Sequence, residues 1–135
     1  MKKTISFTVI ITLALLLLVS LSFIRVPLTF NHDEDDIYSI VLMFGDTGVQ
    51  RVISEEDAHT VYSLTRRINK LIGDSYSKCQ GWSYRYIIRW KDSSWTSLTL
   101  KADGISIDEK YVHVDSDIVK ELETVANRNR ECKER

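Results

Sequence analysis

From Thr4 to Ile24 the chain runs for 21 residues without a charged side chain, between Lys2-Lys3 on one side and Arg25 on the other. Its centre, Val9 to Val19, holds Leu13 and the block Leu15 to Leu18. A helix of that length covers ~31 Å, enough for the ~30 Å hydrocarbon core of a bilayer. Lipid offers no water to satisfy a bare backbone, so the run is expected to be helical despite its Ile, Val and Thr. Whatever else the chain folds into must be built from the residues that follow.

Two fates of this segment stay open. A cleaved signal peptide needs a basic start, a short apolar stretch and small residues at the cleavage site. Phe7 to Val19 supplies the stretch, and Ser20-Leu21-Ser22 allows cleavage after Ser22. Apolar character continues through Phe23, Ile24, Val26 and Leu28, which favours an uncleaved anchor. No Cys lies near the end of the run, so a lipoprotein is not supported. Lys2 and Lys3 hold the N-terminus in the cytoplasm by the positive-inside tendency, and the start resembles a bacterial export signal. The expected location is the cell membrane, single-pass, with the domain outside; a cleaved segment makes the domain secreted. Residues 1–30 are thus read as anchor or signal peptide, 31–36 as an acidic spacer and 37–135 as one extracytoplasmic domain.

The whole-chain charge of -1 conceals a division. Of 18 basic side chains, Lys2, Lys3 and Arg25 precede Asp33, the first acid; the rest of the chain sets about 15 cations against 19 acids. A mildly acidic exported domain is no nucleic-acid binder, and no nucleic-acid partner is expected. In an oxidising compartment Cys79 and Cys132 permit one disulfide, although two independent thiols fit the sequence equally well. There is no CxxC pair.

Asp33, Glu34, Asp35 and Asp36 read as a solvated spacer rather than a calcium loop, since blocks of like charge repel. Ile37 to Phe44 follows as a well-covered strand, with Ile37, Val41 and Met43 on one face and Tyr38, Ile40, Leu42 and Phe44 on the other. Gly45 to Gly48 makes a turn, and Val49 to Ile53 returns. Ser54 with Asp57 three residues on marks a helix start. Ala58, Val61, Leu64, Ile68 and Leu71 continue it along one face, up to Gly73. Tyr84, Tyr86, Ile88 and Trp90 then alternate with Arg85, Ile87, Arg89 and Lys91. Trp95 to Lys101, Ile105 to Ile107 and Tyr111 to Val114 complete a meander, and Ser116 to Asn127 forms a second helix. Arg128, Arg130, Lys133 and Arg135 crowd an end expected to fray. The order β-β-α-β-β-β-β-α predicts an α+β fold: an antiparallel sheet with two amphipathic helices on one face.

Candidate chemistry is sparse. Asp46-Thr47-Gly48 resembles the active-site triplet of aspartic proteases, in which paired aspartates share a proton. Here Gly45 precedes the aspartate and a helix follows too soon, so a Gly-Asp turn accounts for the triplet. Glu56-x-x-His59 has metal-ligand spacing without the further carboxylates that di-iron sites require. His113-x-Asp115 is a second lone pair and His32 lies beside the acidic run, and no Ser-His-Asp or Cys-His arrangement or phosphate loop is found. No catalytic residue, cofactor or metal is assigned. The aromatic distribution is more informative. Of nine Trp and Tyr residues, six lie between Tyr76 and Trp95, interleaved with cations. Tyr76, Trp82, Trp95, Arg85 and Arg89 are the candidate partner-binding residues, for a protein or a cell-envelope glycan. Tyr84, Tyr86 and Trp90 are assigned to the core. A non-catalytic binding or regulatory module follows as the leading expectation. A small envelope enzyme and an accessory subunit of a membrane complex are the alternatives.

Overall fold

A computed structural model describes residues 2–22, 25–27, 30–71, 81–102, 104–112 and 114–131. It is a mixed α+β structure with a six-stranded antiparallel sheet and three helices. Helix α1 spans Lys2–Ser22. Among the described residues no helix is long and apolar enough to cross a membrane. The described side chains of α1 run from Phe7 to Leu21, ~22 Å of helix, and every one of them is exposed. Its apolar residues lie all round the helix rather than along a stripe. Two of its hydroxyls turn back onto the helix: Thr12 Oγ1 donates to the Thr8 carbonyl at 2.9 Å and Ser20 Oγ to that of Leu16 at 2.7 Å.

The sheet contains β2 (Ile37–Phe44), β3 (Gln50–Val52), β5 (Tyr84–Trp90), β6 (Trp95–Lys101), β7 (Gly104–Ile107) and β8 (Lys110–Val112). Their order across the sheet is β3-β2-β5-β6-β7-β8. Helix α2 (Glu55–Arg66) links β3 to the strands beyond β2, and α3 (Ser116–Glu131) closes the fold. Both helices bury one face of the sheet. Ile40, Leu42, Phe44, Tyr86, Ile88, Trp90, Leu98, Leu100, Ile105, Ile107 and Val112 point toward them from the strands. Val61, Leu64, Ile118, Leu122 and Val125 meet these from the helices. Period-two alternation on the strands and a 3.6-residue stripe on each helix converge on one core.

Ser54 caps α2 as its sequence predicts, its Oγ accepting from the Asp57 amide at 3.2 Å. The helix nevertheless ends at Arg66, before Ile68 and well short of the expected stop. Asn69–Leu71 forms a strand, β4, paired antiparallel with β1 (Arg25–Pro27) in a separate two-stranded sheet. Ile68 is buried all the same, so the apolar period outlasts the helix that it seemed to mark. Gly73 lies outside the described residues.

The C-terminal helix, in contrast, runs further than expected, to Glu131. Asp57 on α2, 5 % exposed, receives Arg128 Nη1 and Asn129 Nδ2, each at 2.8 Å. Arg51 donates to the Asn129 carbonyl, and Arg130 pairs with Asp46 at 3.1 Å. Of the cations expected to fray, Arg128 and Arg130 are therefore a clasp, and Lys133 and Arg135 lie outside the described residues. Arg128 and Arg130 also suit the negative end of the α3 dipole. Tyr86 completes the join by donating its hydroxyl to the Leu122 carbonyl. Burial, with Asp57 nearby, pushes the Tyr86 phenol far above its ordinary range, so it stays a donor.

Among the described residues, no helix contributes to the opposite face of the sheet. Toward β8 it is closed locally by the Tyr111 ring, which takes the place a Cβ at Gly104 would need, 2.9 Å away. Ser106, beside Tyr111 in the register, is buried there.

Replacing Asp57 by Ala is expected to lower stability by about 2–4 kcal/mol, because Arg128 and Asn129 lose a buried acceptor. Urea unfolding of the full chain in neutral detergent, followed by near-ultraviolet circular dichroism, measures it; a change below about 0.5 kcal/mol shows that the clasp is not structural.

Candidate functional site

The sheet face away from α2 and α3 is built by the odd positions of β5 and their neighbours. On it Val41, Ser97 and Thr99 are buried, Arg85 and Ile87 half-buried, and Arg89 and Trp95 exposed. Arg85, Ile87 and Arg89 point out while Tyr84, Tyr86, Ile88 and Trp90 point into or toward the core. Opposite them in the register stand Thr99, Ser97 and Trp95 of β6. Arg89 and Trp95 are thus direct cross-strand neighbours. Trp95 is 63 % exposed.

A bulge in β2 adds a residue that the alternation of the strand does not reveal. Ile37 pairs with Trp90 and Ser39 with Arg89, leaving Tyr38 without an opposite number. Had the strand been regular, Tyr38 would share the inner face with Ile40 and Leu42. The extra residue instead turns Ile37 inward against the core and leaves Tyr38 74 % exposed. The expected facing of Ile37 and Tyr38 is therefore reversed.

Tyr38, Ile87, Arg89, Lys91, Ser93 and Trp95 line a hollow of about 490 Å³, with Trp90 and Ser94 at its edge. The hairpin turn that forms its rim places Ser93 at a φ of 71°, and the Asp92 carboxylate accepts from the Ser94 amide at 2.9 Å. Neither Arg89 nor Lys91 has an ion-pair partner among the described residues. The face also holds a second cationic-aromatic pair. Arg85 lies over Trp82, its guanidinium carbon 4.6 Å from the ring centroid, and donates to Thr99 Oγ1 at 3.1 Å. Four residues of strand separate Arg85 from Arg89, ~13 Å at strand rise.

The five residues named for partner binding therefore divide. Arg89 and Trp95 come together; Trp82 and Arg85 form a separate pair at the far end of β5. Tyr76 lies outside the described residues, as do Cys79 and Cys132. Tyr38 and Lys91 belong to the hollow and were missed. Lys91 was visible as the next cation after Arg89, whereas Tyr38 was masked by the bulge.

A second hollow, about 700 Å³, lies on the other side of Tyr38. Glu34, Asp35, Glu55, Glu56 and His59 are among its lining residues, and His59 Nδ1 bonds to Glu34. Among the described residues no group of three or more His, Cys, Asp or Glu could hold a metal ion. Asp46, the aspartate of the protease-like triplet, is tied to Arg130 in a turn closed by the Gly48 amide on the Phe44 carbonyl.

The acidic run is not a free spacer in the structure. Glu34–Asp36 form a 3₁₀ turn with Asp33 and Asp36 in a capping box. Just before it, His32 stacks on Trp90, ring centroids 4.6 Å apart at 8°, and bonds to Asp92 Oδ2 at 2.7 Å. Phe30 packs against both Trp90 and Tyr62. Residues 30–36 are therefore docked on the end of the sheet that carries the Trp95 hollow. His32 and Ser94 hold the Asp92 carboxyl well below the usual carboxylate range.

No protein-family model, no curated protein and no solved structure matches this chain.

The His32 contact has a pH signature. Since Asp92 is lowered in the folded state, its contribution to stability is present above the ordinary carboxylate value and is lost as pH falls through the lowered one. Carbon-detected carboxyl titration by nuclear magnetic resonance is expected to find Asp92 still ionised below the ordinary carboxylate range. In His32→Ala its titration moves up toward the ordinary range; an unmoved titration shows that Ser94 alone sets it.

Proposed function

We propose that the chain is a membrane-attached, extracytoplasmic binding module that works without catalysis through the face of its sheet that points away from α2 and α3. The observation that carries this is the pairing of exposed Tyr38 and Trp95 around Arg89 and Lys91, which have no ion-pair partner among the described residues. Exposing large aromatic surface to water is unfavourable, and well-packed anchors of recognition surfaces are enriched in Tyr, Trp and Arg. The rigid sheet beneath them supplies the pre-organisation that a binding surface needs.

Membrane attachment rests on α1 and its flanks. A helix apolar on every side has no stripe with which to pack on a small domain and belongs in an apolar surrounding. The uncharged sequence extends beyond the described side chains at both ends, to Thr4 and Ile24, and is flanked by Lys2, Lys3 and Arg25. The back-bonded hydroxyls of Thr12 and Ser20 fit that setting, because their donors are already satisfied within the helix. The partner is an envelope component or a protein at the outer surface.

A small envelope enzyme is the second reading, favoured by the His59–Glu34 bond in the acidic hollow. His59 is mostly exposed and its pair opens to water, which leaves little of the desolvation that tunes a catalytic base. The binding module is the better account.

The test uses the full chain in a bacterial cell, with a photo-crosslinking residue at position 95 or, as control, at Ser63 on α2. Position 95 is expected to give adducts that Arg89→Ala abolishes, while position 63 gives none. Equal labelling at both positions would defeat the proposed face. In the same cells, resistance to alkaline extraction is expected of an anchored chain; a mature N-terminus at Phe23 would show a cleaved one.

A further inference from the structure

We infer that the ligand of this face is an acidic oligosaccharide, whose sugar ring lies between Tyr38 and Trp95 and whose carboxylate meets Arg89 and Lys91. The inference rests on the binding role just proposed and adds the chemical class of what is bound.

Charge is the first argument. The domain has more acids than bases, yet the outward positions of β5 and β6 carry Arg85, Arg89 and Lys101 and no carboxylate. Neither Arg89 nor Lys91 has an ion-pair partner among the described residues, although Lys91 also lines the acidic hollow, so an incoming carboxylate displaces no ion pair seen there. A guanidinium matches a carboxylate in two parallel hydrogen bonds.

Shape and surface chemistry select the rest of the ligand. Ile87 gives the hollow an apolar floor and the two aromatic side chains give it apolar sides, all exposed or half-buried. A sugar ring combines apolar C–H faces with a polar rim, so it can cover the aromatics while its hydroxyls and acid reach Ser93, Arg89 and Lys91. The Trp82–Arg85 pair, ~13 Å along β5, repeats the aromatic-cation combination and extends the surface from a single ring to a chain of sugars.

An acidic peptide fits less well. Extended peptides gain affinity by adding a strand to a free sheet edge. Among the described residues the free edges beside the hollow are short. β2 lacks a β3 partner over Ile37–Ser39, which line the acidic hollow and so repel an acidic peptide, and β6 lacks a β7 partner only at Trp95 and Thr96. An amphipathic helix would need a row of apolar anchors, and Ile87 is the one aliphatic side chain in this hollow.

The full chain in neutral detergent is titrated by calorimetry with three probes: an oligogalacturonate, a neutral glucan oligomer of similar length and a poly-glutamate of matched charge. Saturable binding of the oligogalacturonate is expected, at least tenfold tighter than either other probe. Arg89→Ala, Lys91→Ala and Tyr38→Ala are each expected to weaken it about tenfold, with circular dichroism unchanged, whereas Arg66→Ala on α2 leaves it intact. Equal binding of the neutral oligomer overturns the acidic assignment. Tighter binding of poly-glutamate overturns the glycan in favour of a peptide and keeps the binding face. Failure of all three probes overturns the glycan as well. The crosslinks at position 95 then decide the wider reading, which survives if they persist and falls if they too are missing.

Discussion

Asp57 holds together the two elements that define which side of the sheet is the inside. Its carboxylate belongs to the first turn of α2, where negative charge suits the helix dipole, and it is nearly excluded from water. Such a group is tolerable only with partners, and Arg128 and Asn129 of α3 provide them. The last turn of α3 is thereby fastened to the first turn of α2. With both helices committed to one face, Tyr86 and its neighbours become core and Arg85, Ile87 and Arg89 are left facing outward. The candidate site is in this sense a result of how the other face is sealed.

The bulge in β2 does the remaining shaping. In a strand of period two, one additional residue reverses the facing of everything on one side of it. Here the reversal is confined to the first two positions. Ile37 goes to the core, Tyr38 becomes a ridge with a cationic hollow on one flank and an acidic one on the other. The backbone continues from the bulge into regular pairing with β5, so the ridge stands on a firm base.

Much of this architecture could be read in advance. The strands Ile37–Phe44, Tyr84–Trp90 and Trp95–Lys101 have the limits that their alternation implies, and Ser54 with Asp57 marks a true helix start. Burial of Tyr86 and Trp90 and exposure of Trp95 also follow from which positions alternate with charge. Other features depend on pairing between distant segments, which local patterns do not carry. Ile68 keeps the helical period although the backbone has left the helix, because β4 pairs with β1. Arg128 reads as solvated until Asp57 is placed opposite it, 71 residues away in sequence. The acidic run reads as self-repelling, yet its charges are spread over a capping box, a bond to His59 and a neighbouring stack on Trp90. Of the candidate site, Arg89 and Trp95 were named separately among the candidate residues, and only the register of β5 with β6 pairs them; Tyr38 was not named, since a bulge leaves no mark in the alternation.

The stack of His32 on Trp90 bears on mechanics. A domain on a loose leash explores a sphere of positions whose radius grows with the leash. Here the chain leading from α1 is clamped onto the sheet by Phe30 and His32 at the same end as the Trp95 hollow. A restraint that reaches Phe30 or His32 is therefore passed to Trp90 and so to the strand that carries Arg89. Under the proposed membrane attachment, docking of residues 30–36 shortens the free chain between bilayer and face, and so narrows the heights at which the face can meet a ligand. The docked segment converts a tether into a mount.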